Sequence, residues 1–228
     1  MRSQKLLLAT AFLITAEIVA ANFTANAQQR AVELKGERNS GVIGAARLTP
    51  VSHKGGAEPL EQALQDAISI LSSNNLCSRF YGDPKIAVEV LSRLATRFQL
   101  HLLRDSRTGI EMSGNFTYFA QSERHAGYRL FAEATINIRG PFFKARVFPS
   151  EPYLPGVGSF PPNTREARVL MLLHELGHLV EGQDGRWLIL DDGNAPGISF
   201  QNTALIEAQC RLQILSLSEP ATNQIVRN

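Results

Sequence analysis

Three stretches of the chain space their apolar residues as amphipathic helices do. The first covers 59–71 and stops at Asn74-Asn75. The second opens at Asp83-Pro84 and runs to about Phe98, and a proline directly after an aspartate cap is a common helix start. The third covers about 202–217, near the end of the chain. The pattern therefore predicts two helices before the middle of the chain and one after it.

The middle of the chain changes to the alternation of apolar and polar residues that is typical of β-strands. The clearest example is Ala134–Arg139, which ends at Gly140-Pro141. The segments that this pattern predicts as strands are 99–103, 115–120, 128–131 and 133–139.

The longest apolar run lies between the predicted strands and the last helix. Asn163 to Glu166 has the spacing of a capping box, in which a cap residue is followed three positions later by glutamate. The next residues, 167–180, are apolar nearly all round, and Gly182 and Gly185 follow them. Such a helix passes through the middle of a domain. We therefore expect an α+β fold: a single domain whose mixed or antiparallel sheet packs on this buried helix, with additional N-terminal and C-terminal helices.

Two histidines four residues apart interrupt this apolar run, with a glutamate beside the first. His174 and His178 fall on one helix face, so both imidazoles can bind one metal ion near Glu175. In zinc hydrolases the ion lowers the pKa of a bound water, and a glutamate takes the water's proton. The sequence therefore predicts Zn²⁺ on His174 and His178, with Glu175 as the general base. The competing interpretation is a pair of core histidines with hydrogen-bond partners.

The third zinc ligand is ambiguous, since four carboxylates lie within reach. Asp184 has the spacing of the third ligand in an extended histidine motif, but Glu181 stands where that motif needs glycine. Glu207 would suit an arrangement in which a second helix supplies the ligand. The pair Asp191 and Asp192 is favoured, Asp192 slightly, because two adjacent aspartates allow one ligand and one partner for a histidine N–H. A solvated turn is the alternative for this pair.

The start of the chain has the composition of a secretory signal. Arg2 and Lys5 precede an apolar stretch, 6–21, and Ala25-Asn26-Ala27 supplies a cleavage site. A retained anchor is the alternative, but the apolar stretch is short for a membrane span. We therefore expect a signal peptide over 1–27, a flexible lead over 28–57 and one domain over 58–228. The expected location is secreted or periplasmic.

Cys77 and Cys210 are the two cysteines of the chain. An even number of cysteines in an exported protein indicates a disulfide. The bond would tie an early helical region to the last helix. Two separate buried thiols are the alternative.

Several motifs together resemble a group of uncharacterised secreted proteins common in acidobacteria. The motifs are Thr164–Arg168, Leu172–Leu179, the turn Asp191–Asn194, and Asn202-Thr203 with Cys210. The resemblance implies an exported bacterial protein with a zincin-like core, and it supports Asp191 or Asp192 over Glu207 as the third ligand. The helix with the two histidines is also similar to those of zincin metallopeptidases, which implies cleavage of peptides.

The sequence thus favours an exported zinc-dependent metallopeptidase that acts on a peptide or protein. A net charge of +2 gives no basis for nucleic-acid binding, and no stable membrane span is expected after signal cleavage. Tyr153 and His125 are candidate oxyanion donors, and Ala134–Arg139 is a candidate edge strand for substrate; structural roles are the alternatives for all three. The competing functions are a non-catalytic zincin-like domain for binding or support at the envelope, and a metal hydrolase of a non-peptide bond.

Overall fold

The computed structural model describes residues 57–120, 127–182, 184–193 and 196–218. The predicted signal peptide, 1–27, and all but the last residue of the predicted lead, 28–57, lie outside these residues. The described elements, in chain order, are helices α1 (Ala57–Ser72), α2 (Leu76–Phe80) and α3 (Pro84–Ala95), strands β1 (Phe98–His101), β2 (Ile110–Phe119) and β3 (Tyr128–Asn137), helices α4 (Arg165–Leu179) and α5 (Pro196–Leu215), and a 3-10 turn, Ser216–Ser218.

The helices before the sheet follow from local capping signals. Asp83 caps α3 by accepting a hydrogen bond from the Lys85 backbone N–H at 2.8 Å, and Pro84 occupies the first turn, as predicted. Helix α2 was not predicted as a separate element. Asn75, expected only to end the preceding helix, starts α2 through a capping box with Ser78.

The sheet has three strands in the order β1-β3-β2. β1 pairs with β3 in parallel, and β2 pairs with β3 in antiparallel orientation. The two strands predicted over 128–131 and 133–139 form the single strand β3 through residue 137, and the predicted strand 115–120 is the second half of β2. The mixed α/β class and the mixed sheet are confirmed.

The prediction of an edge strand over Ala134–Arg139 is wrong. Ala134 pairs with Phe98 of β1 on one side and with Met112 of β2 on the other. Residues 138 and 139 lie in a turn. The edges of this sheet are β1 and β2. Alternation of apolar and polar residues reports which faces of a strand are buried and carries no information about how many strands flank it.

Helix α4 is the buried centre of the molecule. Its N-cap is Thr164, whose Oγ1 accepts from the Ala167 N–H at 3.2 Å, one residue later than the predicted capping box. The helix ends at Leu179, before the glycines expected to end it, because Val180 turns into an extended bridge with Tyr128. Side chains of α1, α3, the sheet, α4 and α5 share one hydrophobic core.

The predicted disulfide is present. Cys77 of α2 and Cys210 of α5 are both fully buried, and their Cα atoms lie 4.4 Å apart. The bond ties the start of the described chain to its last helix. In the part of the chain that the structure describes, no helix is long and apolar enough to cross a membrane.

Candidate metal centre

Three side chains, two from α4 and one from the segment that follows it, converge at the C-terminal half of α4. His174 Nε2 lies 3.0 Å from Asp192 Oδ2 and 3.1 Å from His178 Nε2, and His178 Nε2 lies 3.5 Å from Asp192 Oδ1. Ligand atoms on a tetrahedral zinc ion with bonds of about 2.1 Å are separated by about 3.4 Å. The three donor atoms thus lie close enough together to hold one metal ion.

The orientation of His174 is fixed from its far side. Thr203 Oγ1, on α5, lies 3.0 Å from His174 Nδ1. A proton on Nδ1 can be donated to this hydroxyl, which leaves the lone pair of Nε2 directed at Asp192 and His178. With its proton on Nδ1, the buried His174 imidazole has the tautomer that a metal ligand needs.

Asp192 is held in place by the start of α5. Asn202 Nδ2 donates to Asp192 Oδ1 at 2.5 Å and to the Leu190 carbonyl at 2.7 Å. Burial opposes ionisation of Asp192, but hydrogen bonds with His174, His178 and Ser199, together with the charge of His174, hold its pKa well below its usual range. The carboxylate is therefore ionised at neutral pH, as a metal ligand must be.

The glycine of the motif lets the ligand-bearing segment approach the helix. A Cβ on Gly177 would lie 3.0 Å from Ile189 Cδ1 and 3.2 Å from Ile206 Cδ1, closer than ordinary van der Waals contact. Ile189 comes two residues before the aspartate pair, and Ile206 belongs to α5. The missing side chain at Gly177 thus permits both elements that complete the cluster to pack against α4.

Glu175 stands next to the cluster and is only half-buried. Loss of hydration raises its pKa from 4.5 to about 7; the charge of His174 opposes this rise and the charge of Asp192 adds to it. A carboxyl group with a pKa near neutrality exchanges its proton readily at physiological pH, which is the property that a general acid and base requires.

The structure does not bring the other predicted acids into this cluster. Asp184 is exposed and pairs with Arg186. Glu207 accepts from the Ser159 backbone N–H at 2.9 Å and pairs with Arg211, so it ties the loop before α4 to α5. These partners satisfy both carboxylates, which leaves Asp192 as the acid that joins the two histidines.

Of the two candidate oxyanion donors, only Tyr153 is among the described residues. Tyr153 is 65% exposed, and its ring lies under the Arg146 guanidinium at 3.9 Å. His125 lies outside the described residues.

Arg129 is a residue of this centre that the sequence analysis missed. Its side chain is 1% exposed, although it belongs to a predicted strand where an arginine between apolar residues is typical of a solvent-facing position. Its Nε donates to the His178 carbonyl at 2.8 Å, and its guanidinium pairs with Asp191 and lies 4.2 Å from the Trp187 ring. No feature of the sequence distinguishes this arginine from a surface one.

No protein-family model, curated protein or solved structure matches the chain. The class of protein therefore rests on the fold and the site. They define a mixed α/β protein whose buried central helix contributes two histidines to a cluster with one aspartate.

Proposed function

We propose that this chain is a zinc-dependent hydrolase in which His174, His178 and Asp192 hold the ion and Glu175 moves the proton. The observation that carries the proposal is the convergence of the three donor atoms, with separations of 3.0, 3.1 and 3.5 Å. Three protein ligands leave one position of a tetrahedral ion open, which is the arrangement of catalytic rather than structural zinc sites. The proposed fold is zincin-like, and three protein ligands are the number that hydrolases with such a fold use to bind zinc.

The residues around the ion have separate tasks in the proposed reaction. A zinc ion bound there supplies Lewis acidity, which polarises a substrate carbonyl and acidifies water. Glu175, adjacent to the cluster, takes a proton from the attacking water and delivers it to the leaving group. Thr203 keeps His174 oriented, and Asn202 holds the carboxylate of Asp192.

The proposed substrate is a peptide or protein outside the cytoplasm. An N-terminal segment of signal type favours export, and the Cys77–Cys210 disulfide is the kind of bond that persists in an oxidising compartment. The pairing of an activating glutamate with a two-histidine zinc helix is the arrangement that metalloproteases use for amide hydrolysis. We therefore propose an exported metallopeptidase.

Zinc content tests the site. The purified chain, supplied with zinc and dialysed, is expected to hold about one ion per chain. His174→Ala and Asp192→Ala should lose it, while Asp184→Ala and Glu207→Ala should keep it. These two controls remove acids of the same region that the structure pairs elsewhere. A well-folded wild type that binds no zinc would disprove the proposal.

Glu175→Gln tests the chemistry separately from the site. This variant should keep its zinc and lose cleavage of a mixed peptide library by about 100-fold or more, the contribution typical of general acid–base groups. If the zinc-loaded wild type cleaves no peptide, the peptidase assignment fails, and a binding domain or a hydrolase of another bond remains. If Glu175→Gln cleaves as fast as the wild type, the assigned role of Glu175 is wrong.

A further inference from the structure

We infer that Arg129 and Asp191 form a positioning pair for His178, and that Asp191 supports the metal site without binding the ion. The inference rests on the proposed function, and it assigns different roles to two adjacent aspartates. It also gives a purpose to a buried arginine on β3 that the reaction itself does not use.

Arg129 connects three parts of the site. Its Nε donates to the carbonyl of His178 at 2.8 Å, near the end of α4. Its Nη1 donates to Asp191 Oδ2 at 3.3 Å, and its second terminal nitrogen pairs with Oδ1 of the same carboxylate. The guanidinium also lies 4.2 Å from the ring of Trp187. One fully buried cation thus holds the segment 184–193 against the end of the helix.

His178 lacks a partner that His174 has. Its Nε2 faces His174 and Asp192, so a metal there requires the lone pair of His178 on Nε2 and its proton on Nδ1. Nδ1 is buried and has no hydrogen-bond partner among the described residues. A buried N–H without an acceptor is costly. His174 avoids this cost through Thr203.

Asp191 is placed to supply the missing acceptor. Its Oδ1 lies 3.9 Å from His178 Nδ1, and a movement of about 1 Å would bring the two atoms to hydrogen-bonding distance. The carboxylate already accepts from Arg129, which keeps it beside His178 and balances its charge. Once that hydrogen bond forms, the carboxylate would orient the His178 ring and raise its basicity as a ligand.

The same contacts explain why Asp192 and not Asp191 joins the cluster. Asp191 is engaged by Arg129 on one side and faces Nδ1 of His178, the nitrogen directed away from the cluster. Asp192 faces Nε2 of both histidines. Because the two aspartates are adjacent in one turn, Arg129 fixes both positions by holding the first of them.

Zinc affinity tests the assignment. The dissociation constant is measured by competition with a chromophoric chelator on the full chain, for wild type, Asp191→Ala and Asp191→Asn, with Asp184→Ala as the matched control. Asp184 belongs to the same segment and also pairs with an arginine, but that arginine is the exposed Arg186. Asp191→Ala should bind one zinc with about 10- to 100-fold weaker affinity. Asp191→Asn keeps an acceptor oxygen and should recover part of this loss.

The tautomer of His178 is the readout that a merely structural role would not change. In zinc-loaded wild type labelled with ¹⁵N-histidine, Nδ1 of His178 should carry a slowly exchanging proton, and Asp191→Ala should accelerate that exchange. Because Asp191→Ala also removes the carboxylate that pairs with the buried Arg129, the free energy of unfolding is measured for each variant beside the exchange rate. Arg129→Lys keeps the positive charge but loses the guanidinium group that contacts both Asp191 and the His178 carbonyl. Its zinc affinity should fall to an extent similar to that of Asp191→Ala.

The results that would overturn the proposed function differ from those that would overturn the positioning pair. A wild type without zinc overturns the proposed function itself. A wild type that binds zinc, with Asp191→Ala of equal affinity and equal exchange at His178, overturns the positioning pair alone. Loss of stoichiometric zinc in Asp191→Ala, to the extent seen in Asp192→Ala, would make Asp191 a ligand and overturn the division of roles.

Discussion

His174 Nε2 and Asp192 Oδ2 lie 3.0 Å apart, 18 residues from each other in sequence, and this contact joins the buried helix to the turn before α5. Burial opposes the ionisation of Asp192, yet its pKa is lowered by hydrogen bonds with His174, His178 and Ser199 and by the charge of His174. A carboxyl group whose pKa is lower in the folded than in the unfolded state stabilises the fold. This contribution is fully present at pH values above the unfolded-state pKa. That contribution disappears as the pH falls through the folded-state value.

Asp192→Asn should therefore destabilise the metal-free protein in a pH-dependent way. At pH 7 we expect a loss of about 2 kcal/mol, the typical size for hydrogen bonds to a charged group. The loss should shrink as the pH falls below about 4, because the unfolded wild type then binds a proton that folded Asp192 does not yet bind. Urea unfolding at pH 7, 5 and 3 measures this. Asp184→Asn is the control, since its pair with Arg186 is exposed to solvent and should contribute little to stability. An equal loss at all three pH values would contradict the prediction.

Glu175→Gln should stabilise the metal-free protein at alkaline pH. Burial raises the pKa of Glu175 in the folded state to about 7. In the unfolded state the same carboxyl group ionises with a pKa of about 4.5. The wild type therefore loses stability as the pH rises from about 4.5 to 7, by about 2 to 3 kcal/mol in total.

Unfolding of metal-free Glu175→Gln and wild type at pH 4 and pH 8 checks this prediction. The two proteins should be of similar stability at pH 4, and the variant should be more stable at pH 8. Bound zinc should reduce the gap, because a nearby cation favours the carboxylate. A variant that is less stable than wild type at pH 8 would show that the carboxylate is better solvated than its burial indicates.

Gly177→Ala should weaken zinc binding with little effect on stability. The new methyl group would lie 3.0 Å from Ile189 and 3.2 Å from Ile206, so the segment that carries the aspartates must move by a few tenths of an ångström. Alanine is favoured over glycine in a helix by about 1 kcal/mol, which offsets the crowding.

The matched control for this substitution is Gly197→Ala. Gly197 is also helical, and a Cβ there meets no atom within 4 Å. We expect zinc affinity to fall at least several-fold for Gly177→Ala and to stay unchanged for Gly197→Ala, as measured by chelator competition. Equal affinity in both variants would mean that the close approach at Gly177 does not position Asp192.

Local signals in the sequence predicted the elements that depend on short-range physics. Asp83-Pro84 starts α3, and the motif from His174 to His178 lies on a buried helix, because caps and helical spacing act over a few residues. The strand prediction over 128–139 located β3 in the sequence but not its central position in the sheet. That position depends on the pairing of Ala134 with segments elsewhere in the chain.

The candidate site likewise has residues that local sequence patterns predicted and residues that they did not. The spacing of His174 and His178 is local and was predicted, and the pair Asp191/Asp192 was favoured from its turn and from the resemblance. The contributions of Arg129, Asn202 and Thr203 depend on how β3 and α5 pack against α4, and no local pattern in the sequence encodes that packing.

The disulfide should contribute much of the stability of the described domain. Cys77 and Cys210 are separated by 133 residues, and closing so long a loop restricts the unfolded chain by up to about 5 kcal/mol in the chain-entropy model. Replacing both cysteines by serine also puts two hydroxyl groups into a fully buried place. Comparing the oxidised wild type, the reduced wild type and Cys77→Ser/Cys210→Ser by urea unfolding separates the two effects. The reduced wild type should lose about 3 to 5 kcal/mol and the double variant more. If reduction leaves the free energy of unfolding unchanged, the bond does not act through the unfolded chain.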